Sequence, residues 1–108
     1  MSNRIRQLLD FLKESPNDNF LRYALAQEYV KSGDKQTGYD YYIGLLNDVP
    51  EYVATYYHLG KLYESDDENA KALKIYTKGI AIATKIGDQH SLSELQSAKL
   101  ELEMEDLL

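Results

Sequence analysis

The sequence contains no cysteine and no tryptophan. Without thiols there is no disulfide scaffold, no thiolate nucleophile and no Cys-based metal site. Proline is nearly missing too, Pro16 and Pro50 being the two instances, so helices meet few breakers. No stretch approaches the roughly eighteen uninterrupted apolar residues that a membrane-spanning helix needs. The opening residues, MSNRIRQLLDFLKES, are interrupted by charge every few positions and lack the apolar core of a signal peptide. Basic charge is scarce: 12 Lys+Arg against 18 Asp+Glu give a net charge of −6 over 108 residues. That balance favours neither nucleic acid nor an anionic lipid surface. The expectation is one cytoplasmic domain with no membrane and no nucleic-acid partner.

What the chain does have is tyrosine, ten against two phenylalanines. Tyr buries a large ring and keeps a hydroxyl for water or a partner, which suits half-exposed packing surfaces. The two prolines lie 34 residues apart, and the same shift aligns Tyr23 with Tyr57, Leu25 with Leu59, Tyr29 with Tyr63 and Tyr42 with Tyr76. Small residues keep the register, Ala26 opposite Gly60 and Gly38 opposite Ala72. These are the residue types to which packing is most sensitive, so the chain reads as an internal repeat.

Within each unit the apolar spacing is helical. Leu21, Leu25 and Tyr29 form one stripe and Tyr39, Tyr42, Leu45 and Leu46 the next; Tyr56, Leu59, Leu62 and Tyr63 precede Leu73, Tyr76 and Ile80. Gly33-Asp34 reads as a helix stop followed by an N-cap, and Ser65 with Glu68, like Ser91 with Glu94, fits a capping box. No run alternates with period two, so no strand is expected. The spacing predicts six antiparallel helices, over roughly 3–14, 18–32, 35–48, 51–64, 67–86 and 89–105.

These residues resemble the tetratricopeptide repeat, a helix–turn–helix unit of about 34 residues. The second unit carries Tyr56, Leu59-Gly60, Tyr63, Ala72 and Tyr76, with Thr84 where the family places a proline. The first carries Leu25-Ala26, Tyr29, Gly38, Tyr42 and Pro50, with Arg22 at the aromatic position. The resemblance implies an all-α fold, a right-handed α/α superhelix. Residues 16–50 and 51–86 would be two repeats inside a single domain 1–108, with 1–15 and 87–108 as capping segments. Lacking the proline, the 67–86 helix is expected to run on to Gly87.

Residues for catalysis are few. His90 and Glu94 share a helical face but fall short of a metal site, and the glycines form no phosphate-cradling loop. Asp66, Asp67 and Glu68 are read as acids at the dipole end of an opening helix. Lys71, Lys74, Lys78 and Lys85 are read as a solvated outer stripe, near the acids Glu101, Glu103 and Glu105 of the last helix. A non-enzymatic chain with no metal and no cofactor is expected.

The resemblance also implies where binding would occur, since the family's first helices line a concave groove for a peptide segment. On these helices Phe20, Tyr23, Ala24, Gln27, Val30 and Lys31, then Ala54, Tyr57, His58, Lys61 and Glu64, are not required by the repeat pattern. Tyr23, Gln27, Tyr57, His58 and Lys61 are the candidate groove residues for a protein or peptide partner, and Lys61 favours an acidic or carboxylate-bearing segment. The Lys and Asn clamp that some members use for chaperone tails is absent, because Tyr23, Gln27 and His58 stand at the matching places. A homodimer through the terminal helices is the alternative: Leu100, Met104, Leu107 and Leu108 lie off the Leu92–Leu95–Leu102 stripe.

Overall fold

The computed structural model describes residues 2–107. Among these it contains helices and no strand: α1 (Asn3–Glu14), α2 (Asn19–Lys31), α3 (Lys35–Asp48), α4 (Ala54–Ser65), α5 (Asn69–Ile86) and α6 (Gln89–Leu107). Most helix starts follow from side-chain caps. Ser2 accepts from the Ile5 N–H, Asp18 from Leu21 and Asp34 from Thr37, each filling an amide that the first turn leaves open.

Three start signals read from the sequence are corrected. α4 begins at Ala54 rather than at residue 51, because Val53 offers no capping side chain and the chain enters through tight Thr55→Tyr52 and Tyr56→Val53 backbone bonds. Ser65 does not open α5: it ends α4, its hydroxyl donating to the Leu62 carbonyl. The acids Asp66, Asp67 and Glu68 accordingly lie in the connector, ahead of the first turn of α5. Ser91 is not the cap of α6 either. Asp88 is, accepting from the Ser91 N–H at 3.0 Å and from its hydroxyl at 2.9 Å. Those two bonds hold the Asp88 carboxyl below its ordinary value.

The turns repeat as the register demands. Gly33 has φ +95°, and the residue 34 positions on, Asp67, is also left-handed at φ +58°. Asp34 N–H donates to Tyr29 O, and Glu68 N–H donates to Tyr63 O. Gly87, at φ +77°, ends α5 as expected without the proline.

The chain divides into two compact units, Met1–Val49 and Pro50–Leu108. In the first, Ile5 and Leu8 of α1 pack with Ala24 and Leu25 of α2, flanked by Leu9, Leu12, Leu21, Tyr29 and Tyr41. Where α2 meets α3, a Cβ on Gly38 would stand 2.4 Å from Val30 Cγ2, so a side chain there has no room. Arg22 replaces the expected aromatic with an ion pair, Nη2 lying 2.7 Å from Asp48 Oδ2. In the second unit a Cβ on Gly60 would stand 2.2 Å from the Tyr76 ring, and one on Gly79 2.6 Å from Tyr56 Cβ. Helices approach this closely only where the side chain is missing. Leu95, Ala98 and Leu102 of α6 are buried, and Leu95 reaches to the same Gly79. The lysine stripe is exposed; Lys85 pairs with Glu51 at 3.1 Å, and Lys71 lies 5.8 Å over the Tyr63 ring. No described helix is long and apolar enough to cross a membrane.

Candidate functional site

In the first unit the candidate residues lie along α2. Phe20, Tyr23 and Gln27, spaced by three and four, share a helical stripe. The Gln27 amide donates to the Tyr23 hydroxyl at 3.2 Å. The Tyr23 ring rests 6.4 Å from Phe20 on one side and 6.4 Å from buried Tyr42 of α3 on the other. Burial, and next Tyr23, push the Tyr42 hydroxyl above its ordinary value, so it stays neutral. Tyr23 is thus a half-buried aromatic held by neighbours, with Phe20 exposed beside it. Two further residues read as groove-facing serve packing instead. Ala24 is buried in the α1–α2 core, and Val30 fills the space over Gly38.

In the second unit Tyr57, His58, Lys61 and Glu64 lie on α4. The His58 ring stands edge-on to Tyr57 at 5.3 Å, and Lys61 Nζ lies 5.7 Å from the Tyr57 centroid. Lys61 also reaches Glu64 at 3.7 Å, and Glu64 accepts a hydrogen bond from the Tyr76 hydroxyl of α5. Burial, then the Glu64 hydrogen bond, raise the Tyr76 hydroxyl well above its ordinary value. Burial lowers His58, and the charge of Glu94 on α6 pulls it partly back.

Glu94 acts on His58, and Glu101 acts on Tyr76; both are exposed carboxylates of α6. The sequence reading missed them. It puts 87–108 in a capping segment and Glu101 beside the lysine stripe, which sets neither carboxylate against His58 or Tyr76. The seven-residue spacing of Glu94 and Glu101 was the available signal. The structure therefore joins Tyr23 to Gln27 in one unit, and Tyr57, His58, Lys61 and Glu64 in the other. His90 is exposed, and no group of described His, Cys, Asp or Glu residues is placed to hold a metal.

Helical hairpins of this period, closed by small-residue crossings, define a class of repeat protein. No protein-family model matches the sequence, and no curated protein matches it. Solved structures do. A crystal structure of a tetratricopeptide repeat domain protein from Salinibacter ruber is 47% identical, covers 81% of this chain and 97% of that one, and superposes with a TM-score of 0.76. A solution NMR structure of a tetratricopeptide repeat domain protein from the same organism gives 48% identity, coverages of 82% and 89%, and a TM-score of 0.79. A solution structure of a Bordetella parapertussis protein is 25% identical, with coverages of 98% and 92% and a TM-score of 0.83. The chain belongs to the tetratricopeptide repeat family, and its class of function is that of a protein-interaction module.

Proposed function

We propose that this chain is a non-enzymatic adaptor, cytoplasmic and without a cofactor, whose first helices bind a peptide segment of a partner protein. Repeats 16–50 and 51–86 would form one domain with 1–15 and 87–108 as caps, and Tyr23, Gln27, Tyr57, His58 and Lys61 would contact the ligand. The observation that carries the reading is the pair of propped tyrosines. Tyr23 is held by Phe20, Tyr42 and Gln27, and Tyr57 by His58 and Lys61. Neither ring is needed by the repeat pattern. Aromatics already fixed in place lose little entropy on binding, which is why such residues anchor interfaces. Capture of the partner from its native extract, then titration calorimetry, tests this. Tyr57→Ala should weaken binding by roughly thirtyfold, about 2 kcal/mol, while the protein stays folded. Unchanged affinity in both Tyr57→Ala and Tyr23→Ala would place the ligand elsewhere.

One observation favours a homodimer as the second reading. Leu100, Met104 and Leu107 are 58%, 55% and 85% exposed on α6. Leu108, grouped with them on sequence, lies outside the described residues. Light scattering separates the two readings: a monomer at micromolar concentration supports the groove, a dimer the terminal helices.

A further inference from the structure

α5 is charged unlike the rest of the chain. Against a net charge of −6 it holds Lys71, Lys74, Lys78 and Lys85 and no acid. Lys85 pairs with Glu51 and Lys71 lies over the Tyr63 ring. Lys74 and Lys78 are exposed and form no ion pair among the described residues, with the acids of α6 or with any other. They border a shallow cleft whose remaining walls are Leu73 and Thr77, also of α5. Leu73–Thr77 and Lys74–Lys78 are neighbouring ridges of residues four apart, and the groove between such ridges is where a ridge of another helix packs.

α6 offers the matching ridge with the opposite charge. Leu95 and Leu102 are buried, which leaves Leu100 and Met104, four apart, 58% and 55% exposed. The next ridge, Glu101–Glu105, is exposed and acidic. If two such helices interleave while running in opposite senses, the ridges alternate as Leu73–Thr77, Leu100–Met104, Lys74–Lys78, Glu101–Glu105. The apolar ridge then fills the cleft, and the lysines lie between it and the acids.

We propose that the α5 cleft takes α6 of a second copy of this chain, with Leu100 and Met104 seated between Leu73–Thr77 and Lys74–Lys78. The inference rests on the homodimer reading above and deepens it: the exposed end of α6 meets α5 of the other copy. One chain carries both halves, complementary in charge, and neither is covered by its own fold. Symmetric pairing of α6 with α6 would instead bring two Glu101–Glu105 ridges together.

Sedimentation velocity of the full chain tests this over roughly 10 µM to 1 mM, where weak interfaces populate. The wild type should self-associate as concentration rises. Lys74→Glu with Lys78→Glu should weaken association about tenfold, and so should Glu101→Lys with Glu105→Lys. The second exchange reduces the net negative charge, so its loss of association cannot come from general repulsion. Mixed in equal amounts, the two variants should regain association to within about threefold, because every cleft then has a tail of opposite charge to meet. Circular dichroism melting checks that they fold. Thr77→Tyr fills the cleft without a charge change and should also weaken association about tenfold, which keeps the test intact if the exchanges melt early. A wild type that stays monomeric would overturn both this proposal and the homodimer reading, leaving the groove untouched. Undiminished association in the Lys74, Lys78 and Thr77 variants would overturn the proposal alone, as would failure of two folded exchange variants to recover on mixing.

Discussion

Glycine acts through two different mechanisms in this chain, and substitution separates them. Gly60 faces the Tyr76 ring with no space for a methyl group, whereas a Cβ on Gly44 would meet Arg22 Nη2 at an ordinary 3.5 Å. Gly60→Ala should therefore overpack the α4–α5 contact and cost roughly 1–3 kcal/mol. Gly44→Ala should be stabilising by about 0.5–1 kcal/mol, because it only removes backbone freedom from the middle of a helix. Urea melts of the two variants check this, and equal shifts would mean that the crossing is not tight. His58 gives a second prediction. Burial favours its neutral form, so the unfolded chain takes up a proton at a higher pH than the folded one. The stability held by neutral His58 is complete above its ordinary value of 6.5 and is lost as the pH falls through the lower folded value. The thermal midpoint of the wild type should drop more steeply below pH 6.5 than that of His58→Gln; parallel curves would exclude His58 as the linked group.

Among the helices, caps divide into those that act and those that only resemble caps. Asp34 holds the Thr37 amide and hydroxyl, so Asp34→Ala should cost about 1 kcal/mol. Ser65→Ala should change stability far less, since its hydroxyl bonds back to Leu62 at the end of α4. Chemical denaturation of the pair provides the measurement. The same contrast explains how far the fold was legible. Helical spacing in Leu21–Leu25–Tyr29 and in Tyr39–Tyr42–Leu45–Leu46, with the paired small residues, was sufficient for α2, α3 and the crossings at Gly38 and Gly60. Serine followed three residues later by glutamate is also compatible with a helix end, and there the sequence pattern could not choose. The candidate site was less legible than the fold. Ala24 and Val30 lie on the expected face but are consumed by packing against α1 and α3. Glu94 and Glu101 enter from a helix that no pattern within α4 could reveal.

For the molecule as a whole, the last helix matters beyond its own length. Leu95 and Leu102 are each 1% exposed, and they cover surface of the second unit. Truncation after Gly87 should remove roughly 3–6 kcal/mol of burial from these two leucines alone, and should lower solubility by uncovering what they pack against. Calorimetry and sedimentation of the shortened chain test this; an unchanged midpoint would deny α6 the role of a cap. Another consequence follows from how the helices pair. Within the first unit α1 meets α2 and α2 meets α3; within the second α4 meets α5 and α5 meets α6. These packing contacts close over loops of only a few residues, so little chain entropy is lost before the first native contacts form. Such local topologies fold in microseconds to milliseconds. Each unit can thus form soon after its residues leave the ribosome, so a nascent chain spends little time with the apolar sides of its helices open to aggregation.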